Sequence, residues 1–475
     1  MTSQVGTPSN PLRIAIIGSG PSAFYAAEHL QKSTSTIVEI DMFERLPTPY
    51  GLVRGGVAPD HPKIKTVTKV YERIAQQPNF RFFGNVEFGR DITHDDLLTH
   101  YHQIIYAVGA QSDRRMGISG EDLPGSHPAT EFVAWYNAHP DFRDRTFDLT
   151  QTAAAVIGNG NVAMDVARIL ASSAEELEKT DIADYALEAL RHSSVRDIYV
   201  IGRRGPAQAS FTNPELKELG ELQEADVIVR PEDAELDALS QEAILKGDDR
   251  NAERNAQTLL RYVSQPLEGK PRRIHMLFLM SPVALIGEER VEAIELVKNE
   301  LYRADDGSLR PRPTNEKVTL PVGLVFRSIG YMGVALPGVP FDEQAGVIPN
   351  AQGRVLDPAR KTTVTGEYNV GWIKRGPSGI IGTNKPDAQE TVNLMSEDAA
   401  AGKTLNPSQP SREAVEALLR ERGVDYVTFA DWLKLDQAEL ERGQAINRPR
   451  LKFSRVDEML QLVREQREQP NPAGD

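Results

Sequence analysis

Short apolar runs followed by glycine and then by a segment of helical spacing occur twice in this chain. The first run, residues 14–17, leads through a glycine turn into a predicted helix over 22–31. The second run, residues 155–157, leads through a similar turn into a predicted helix over 161–170. Each pattern predicts a buried strand, a tight turn and a helix, in that order.

This strand–turn–helix arrangement is typical of dinucleotide binding. Backbone N–H groups of the turn and the positive end of the helix face the pyrophosphate, and a small residue at the end of the turn lets helix and strand pack closely. The two turns read Gly18-Ser19-Gly20-Pro21-Ser22-Ala23 and Gly158-Asn159-Gly160-Asn161-Val162-Ala163. One such turn is weak evidence, but two with correct flanks predict two dinucleotide sites.

Periodicity predicts further elements around both turns. The first unit is expected to hold strands at 37–43, 80–83, 86–88 and 103–110 and a helix at 64–76. The second is expected to hold strands at 197–201, 273–280, 291–297 and 324–329, with extra helix within 172–194. Helices at 387–400, 411–421 and 429–442 follow. The alternation predicts an α/β fold with two Rossmann-like units and a helical C-terminal region.

Charged residues after the second strand of each unit distinguish the two sites. Glu44 stands where a carboxylate binds ribose hydroxyls, whereas Arg203 and Arg204 occupy the corresponding place in the second unit. A 2′-phosphate needs cationic, bidentate donors, so the second site is predicted to take NADP. The arginines lie unusually far from their turn, which we attribute to the inserted segment 172–194. Solvated surface side chains are the alternative for all three.

Composition sets limits on the class of protein. With 475 residues, 40% hydrophobic and 26% charged, the chain is long enough for about two to three domains. No apolar run reaches the length of a membrane span, and residues 1–10 contain no Lys or Arg, so we expect a cytoplasmic protein without a targeting peptide. The net charge of −14 argues against nucleic-acid binding.

The absence of cysteine excludes further kinds of site. With zero Cys, the chain can form neither a disulfide nor a cysteine-ligated iron–sulfur cluster, and it lacks the thiol pair that disulfide reductases use. A flavoenzyme of this composition must pass its electrons to an external acceptor.

Five blocks in matching order resemble the ferredoxin–NADP reductases of the adrenodoxin-reductase type. They are residues 18–23, 47–63, 158–165, 202–212 and 370–384. The resemblance implies a two-domain flavoprotein that transfers a hydride from NADPH to FAD and then single electrons to a small ferredoxin-type iron–sulfur protein.

The resemblance also implies the residues of each site. FAD is expected to contact Gly18, Gly20, Ser22, Ala23, Glu44, Leu52, Phe88, Trp372, Gly379, Ile380 and Ile381. NADP is expected to contact Asn159, Gly160, Asn161, Val162, Arg203, Arg204, Glu215 and the same Gly379. His61 and Glu218 resemble residues that line the flavin and nicotinamide sites, where they would tune orientation or proton balance. No metal ligand set is expected.

The positions of these blocks imply a discontinuous first domain. Residues 1–112 and 330–475 are predicted to form the FAD-binding domain, with a helical C-terminal extension, and residues 113–329 the inserted NADP-binding domain. We expect a monomer that meets its acidic ferredoxin transiently. Basic candidates for that contact, which could equally be ordinary surface residues, are Arg54, Lys63, Lys65, Arg261, Lys270, Arg272 and Arg273.

Two other functions fit parts of the pattern. A flavin-dependent monooxygenase also uses FAD and NADPH, and it would be distinguished by a flavin hydroperoxide. A flavin subunit of a larger complex, as in glutamate synthase, would co-purify with its partner. Such subunits normally carry cysteine-rich cluster segments, which this chain lacks.

Overall fold

The computed structural model describes residues 5–33, 36–247 and 249–468. The first part of the chain alternates strands and helices. Its strands are β1 (Leu12–Ile17), β2 (Val38–Glu44), β3 (Phe80–Gly84) and β4 (Gln103–Tyr106). Its helices are α1 (Pro21–Gln31), α2 (Leu52–Gly55), α3 (Pro62–Lys65), α4 (Thr68–Ala75) and α5 (His94–His100). All residues of β1 and β4 are buried, as expected for inner strands covered on both faces.

The middle of the chain builds the second unit. Its strands are β5 (Ser112–Asp113), β6 (Ser126–Pro128), β7 (Ala153–Ile157), β8 (Asp197–Ile201), β9 (Ala225–Ile228), β10 (Arg272–Leu277), β11 (Met280–Ile286), β12 (Ala293–Arg303), β13 (Leu309–Pro321), β14 (Leu324–Arg327) and β15 (Tyr331–Met332). Its helices are α6 (Ala129–Tyr136), α7 (Asn161–Ala171), α8 (Ala174–Leu177), α9 (Asp184–Arg191), α10 (Asn213–Leu219), α11 (Pro231–Ala234), α12 (Ala238–Leu245) and α13 (Arg250–Ser264). The extra helix predicted within 172–194 is confirmed as α8 and α9.

The last part of the chain returns to the first sheet and ends in helices. Its strands are β16 (Asn350–Ala351), β17 (Arg354–Asp357) and β18 (Thr362–Asn369). Its helices are α14 (Trp372–Arg375), α15 (Asn384–Ala400), α16 (Arg412–Glu421), α17 (Phe429–Gln444) and α18 (Val456–Glu468). Trp432 of α17 packs edge-on against Tyr50, with ring centroids 5.8 Å apart, which joins the C-terminal helices to the first unit.

Strand order explains how the two units are connected. The first sheet runs β16–β17–β18–β4–β1–β2–β3, and the second runs β6–β14–β7–β8–β10–β9. All strands of the second sheet lie between β5 and β15, which pair antiparallel with each other through Asp113 and Tyr331. The second unit is therefore inserted into the first. Strands β11–β13 form a separate antiparallel sheet. The predicted fold class is confirmed.

Several predicted elements were wrong in detail. The helix over 64–76 is divided into α3 and α4 at Thr66, whose hydroxyl donates to the Lys63 carbonyl at 2.6 Å; such local bonds compete with the helix. Residues 86–88 form no strand, because Asn85 and Gly89 have φ of 58° and 93° and turn the chain. The strand over 103–110 stops at β4, and α18 was not predicted.

No helix within the described residues combines the length and the apolar character that a bilayer crossing requires.

Candidate active site

The first glycine turn leaves an open cradle at the carboxyl end of β1. Gly18 has φ +99°, and a Cβ there would lie 2.6 Å from the Ala107 carbonyl oxygen, so only glycine fits. A Cβ on Gly20 would meet no atom within 4 Å. Helix α1 starts at Pro21 without a side-chain cap, so its first N–H groups face this open space and suit a pyrophosphate.

Glu44 is fixed beside that turn. Its Oε2 accepts hydrogen bonds from the Ser19 hydroxyl (2.6 Å) and the Ser19 N–H (3.2 Å), and its Oε1 accepts from the Leu46 N–H (3.0 Å). Ser22 and Ala23 are buried in the first turn of α1, where they bring the helix close to its neighbours. The carboxylate therefore lies near the turn, as ribose recognition requires.

Apolar side chains are exposed on the loops around this cradle. Leu52 of α2 is 44% exposed and Ile380 is 61% exposed. Large apolar side chains that are exposed together suit contact with the edge of a flat ring system. Trp372 stacks on Tyr331, with centroids 5.6 Å apart and planes at 22°. The observed cradle, carboxylate and apolar groups fit FAD.

The remaining FAD candidates differ in their surroundings. Phe88 is partly buried and packs against Tyr106, with centroids 6.2 Å apart. Gly379 has φ +82°, and a Cβ there would lie 2.3 Å from the Thr383 hydroxyl, so glycine is required at this turn. Ile381 is partly buried against the core of the first unit. It begins a short 3₁₀ turn before α15.

The second glycine turn repeats this geometry after β7. A Cβ on Gly158 would lie 2.0 Å from the Ser328 carbonyl oxygen, whereas one on Gly160 would meet nothing within 4 Å. Asn161 Oδ1 accepts from the Thr212 N–H at 2.9 Å, and Val162 packs partly buried against the core. The buried Asn159 Nδ2 has no hydrogen-bond partner among the described residues. An unsatisfied donor beside an open helix terminus fits a bound dinucleotide.

The arginine pair carries uncompensated positive charge. Arg203 is exposed and Arg204 is half-buried, and neither forms an ion pair within the described part of the chain. Burial, and then the charge of Arg203, lower the pKa of Arg204. Backbone contacts hold the loop, since Asn299 donates to the Arg203 carbonyl at 2.8 Å. Two unpaired guanidinium groups suit a phosphate dianion, so the site fits NADP.

A group of charged side chains connects the first unit with helices α7 and α10 of the second. His61 Nε2 lies 2.8 Å from Glu218 Oε2 and 3.9 Å from Glu215 Oε2. The buried Arg168 donates to Asp60 (2.5 Å), Asp165 (2.6 Å) and Glu215 (3.3 Å). Asp60 and His61 come from the first unit, whereas the other four come from α7 and α10. We call these six residues the central charge cluster.

Acids outnumber bases in the central charge cluster. Burial raises the pKa of Asp165, although Arg168 opposes this. Burial, with the nearby charge of Asp165, raises the pKa of Glu215 to about 7. Asp60 behaves differently, because its hydrogen bond and ion pair with Arg168 lower its pKa against the effect of burial. Of these carboxyl groups, Glu215 thus has a pKa near neutral pH.

Similar proteins agree with this geometry. A family model described as "Pyridine nucleotide-disulphide oxidoreductase" matches residues 12–209. The chain is 46% identical over 461 residues to "NADPH-ferredoxin reductase FprA" of Mycobacterium tuberculosis, covering 95% of this chain and 99% of that protein. It is 40% identical over 463 residues to "NADPH:adrenodoxin oxidoreductase, mitochondrial" of Homo sapiens, covering 95% and 92%.

A solved structure matches over nearly the same length. The structure titled "Mycobacterium tuberculosis FprA in complex with NADPH" superposes with a TM-score of 0.89 at 44% identity, covering 96% of this chain and 100% of that chain. This chain belongs to the adrenodoxin-reductase type of ferredoxin–NADP reductases. It is a flavoprotein oxidoreductase that uses FAD and NADP(H). The disulphide in the family model's description does not apply to its chemistry, because the chain has no Cys.

Several basic residues that the sequence offered as candidates for ferredoxin contact are already engaged within the reductase. Arg272 is buried and donates to the Ser172 carbonyl at 2.7 Å, so it cannot meet a partner. Arg54 pairs with Glu439 at 2.5 Å, and this internal pair occupies its guanidinium. Lys65 and Arg273 are held by carboxylates, and the Lys270 ammonium donates to a backbone carbonyl. Lys63 and Arg261 remain exposed.

Sequence reasoning missed Asp60 and Arg168 as members of the reductase site. Asp60 lies in the Pro/Gly-rich loop of residues 47–63, and Arg168 lies on the buried side of α7. Each resembles an ordinary charged residue when taken alone. Only their contact, 2.5 Å between Arg168 Nε and Asp60 Oδ2, shows that they join the units. The proximity of Asp60 to His61 in the sequence was the one available signal.

Proposed function

We propose that this reductase takes a hydride from NADPH onto FAD and passes single electrons to a ferredoxin-type iron–sulfur protein. The observation that carries the proposal is the pair of open glycine turns at the ends of β1 and β7, in two units that the central charge cluster connects. The two turns differ in charge as the two nucleotides require, with Glu44 beside one and two unpaired arginines beside the other.

The residues around the first turn are proposed to hold FAD. The N–H groups at the start of α1 would bind its pyrophosphate beside Gly18 and Gly20, and Glu44 would bind its ribose. The apolar loops would shield its ring from water. The full proposed set is Gly18, Gly20, Ser22, Ala23, Glu44, Leu52, Phe88, Trp372, Gly379, Ile380 and Ile381. FAD supplies the chemistry of accepting a hydride and releasing electrons singly.

The residues around the second turn are proposed to hold NADP. Asn159, Gly160, Asn161 and Val162 would face its pyrophosphate, and Arg203 and Arg204 its 2′-phosphate. Gly379 would lie near the nicotinamide. Glu215 fits less well, because its carboxylate lies 3.3 Å from the Arg168 guanidinium in the central charge cluster. We therefore propose that Glu215 affects nicotinamide placement through this cluster.

His61 and Glu218 are proposed to orient the two nucleotides relative to each other. Hydride transfer itself needs no acid or base. Their 2.8 Å contact connects the Pro/Gly-rich loop with α10, and this would align nicotinamide and flavin rings, on which the transfer rate depends. In this role they would be positioning residues.

Domain limits follow from this assignment. We propose an FAD-binding domain of residues 1–112 and 330–475 and an NADP-binding domain of residues 113–329. Support comes from β5 and β15, which pair where the chain crosses between the sheets. Residues 1–4, 34–35, 248 and 469–475 lie outside the described residues.

Cytochrome c reduction tests the activity. The purified yellow protein should reduce cytochrome c with NADPH only slowly until a ferredoxin is added, and NADH should be a poorer donor. The proposal would be contradicted if added ferredoxin did not raise the rate of cytochrome c reduction with either nucleotide. A flavin hydroperoxide in stopped flow with oxygen would also contradict it.

We also propose a cytoplasmic monomer that binds ferredoxin transiently. Size-exclusion chromatography with and without ferredoxin, and cell fractionation, test those points.

A further inference from the structure

The C-terminal segment makes a buried contact with both nucleotide-binding units. Lys452 has a side chain only 2% exposed, and its Nζ lies 3.1 Å from Asp181 Oδ2. Asp181 lies between α8 and α9, in the inserted segment 172–194 of the second unit. The same carboxylate accepts from Lys65 Nζ at 2.7 and 2.8 Å, and Lys65 ends α3 in the first unit. One carboxylate thus joins three parts of the chain.

The Lys452 ammonium also contacts backbone on both sides of the junction. It lies 3.3 Å from the Arg54 carbonyl of the first unit and 3.4 Å from the Asn137 carbonyl of the second. Burial lowers the pKa of Lys452, with Asp181 opposing this. Burial alone would raise the pKa of Asp181, but Lys452 and Lys65 hold it well below its usual value. A charge buried at such a junction is kept only where partners surround it.

Neighbouring residues of the C-terminal segment repeat this pattern. The side chain of Arg448 is 3% exposed, and it donates to the carbonyls of Thr180 and Ile182 and to the Asp184 carboxylate. All three acceptors lie, like Asp181, in the inserted segment 172–194 of the second unit. Arg448 and Lys452 therefore hold that segment from two points.

The C-terminal segment is also anchored to the first unit, by a second ion pair. The buried Glu439 of α17 accepts from Arg54 at 2.5 and 2.8 Å and from Arg450 at 2.8 Å. Arg54 belongs to α2 in the Pro/Gly-rich loop, the same helix as Leu52, and its guanidinium lies 5.1 Å from the ring of Trp432. The C-terminal segment thus connects the Pro/Gly-rich loop of the first unit with the inserted segment 172–194 of the second.

We propose that Lys452, Asp181 and Lys65 position the two nucleotide-binding units for hydride transfer. We call this group the interunit clasp. The inference rests on the proposed function, because it assigns the clasp a role in aligning nicotinamide with flavin. None of the three residues belongs to the proposed nucleotide contacts, so the clasp acts on the rate through geometry. Small misalignments of reacting groups reduce rates strongly.

Two single variants test the interunit clasp. Lys452→Met and Lys65→Met each remove one cation and leave Asp181 paired with the other lysine, so neither strands a buried carboxylate. Flavin reduction by saturating NADPH is followed by stopped flow, well below the unfolding temperature and without ferredoxin. We expect each variant to lower the limiting rate by about ten-fold or more, with FAD content and the dissociation constant for NADP+ within about two-fold of the parent.

Conservative and matched variants separate positioning from general stability. Lys452→Arg keeps the charge and should restore most of the limiting rate. Lys317→Met removes a lysine that pairs with Glu295 at 2.7 Å inside a single sheet, and it should leave the rate unchanged. A lowered melting temperature in the methionine variants with an unchanged limiting rate would assign the clasp a purely structural role.

The outcomes also distinguish this inference from the proposed function. If the parent flavin is not reduced by NADPH, the proposed function fails. If the parent flavin is reduced and both methionine variants react at its rate, only the interunit clasp is overturned. Should Lys452→Met fail to fold, Lys65→Met decides the question, because its side chain is more accessible at 16% exposure.

Discussion

The charged side chains at the ends of β2 and β8 differ in how many polar partners they have. Glu44 accepts three hydrogen bonds from its own neighbourhood, whereas Arg203 and Arg204 have no carboxylate partner among the described residues. The sign of the charge after each strand was predictable, because it is visible in the sequence. The arginines' lack of a partner was not, since it depends on which acids the fold brings near.

Replacing both arginines should remove the preference for NADPH. In Arg203→Ala/Arg204→Ala, loss of charge-assisted contacts worth about 1.5–3 kcal/mol should lower kcat/KM for NADPH by about 10- to 100-fold. The value for NADH should change little. Steady-state kinetics with both nucleotides and a small dye measure this. Arg310→Ala/Arg312→Ala, two exposed arginines of β13, is the control. An unchanged ratio of NADPH to NADH would refute the 2′-phosphate assignment.

Glu215 should make stability depend on pH. Its pKa is raised from 4.5 to about 7 in the folded protein, so the folded state binds more protons than the unfolded state between these values. Stability should therefore fall as pH rises from about 4.5 to 7, by an amount on the order of 2 kcal/mol. Melting curves from pH 5 to 8 should show a smaller loss for Glu215→Gln. The same slope in parent and variant would show that Glu215 is not responsible.

At the level of elements, local pattern predicted most helices and strands near the two turns. Strand β8 was predicted at its observed bounds, and α7 within one residue. The wrong predictions occur where one residue changes the backbone, as at Thr66 in the split helix and at Asn85 with φ 58°. Hydrophobic periodicity reports neither a local side-chain bond to a backbone carbonyl nor a left-handed backbone conformation.

The two glycine turns allow a reciprocal test. Gly20→Val and Gly160→Val place a side chain into space that is open in the protein but is proposed to hold a pyrophosphate. Each should fold with a small loss of stability, about 1 kcal/mol for a poorer helix cap. Gly20→Val should lose bound FAD, and Gly160→Val should keep FAD while KM for NADPH rises about ten-fold or more.

Flavin absorbance, melting temperature and NADPH kinetics measure these effects, and each variant is the control for the other. Retention of FAD by Gly20→Val at the parent level would contradict the assignment of the first turn.

On the scale of the whole molecule, the insertion of one unit into another was predictable, but the contacts between the units were not. Sequence order identified the return to the first sheet because the block at 370–384 resembles a flavin site. The Asp60–Arg168 pair and the interunit clasp join residues from distant segments, and their meeting depends on how the two sheets are oriented. The net charge of −14 adds a further condition, since an acidic partner must meet a local basic surface.

Lys63 is the strongest remaining candidate for that surface. It is exposed, forms no ion pair within the described ranges, and lies on α3 of the first unit, two positions after His61. Lys63→Glu should repel an acidic ferredoxin and lower its kcat/KM by about five-fold or more at low salt. Screening should reduce the difference as ionic strength rises. Reduction of a small neutral dye by NADPH should stay at the parent rate.

The matched control is Lys317→Glu, a charge reversal on the hairpin of β12 and β13. It should change ferredoxin turnover less than Lys63→Glu does, because like charges repel only where the partner approaches. Equal losses for the two variants would show that the overall charge controls the encounter. Equal losses with ferredoxin and dye in Lys63→Glu would indicate damage to the nucleotide sites. Only a selective loss with ferredoxin, reversed by salt, assigns Lys63 to the docking surface.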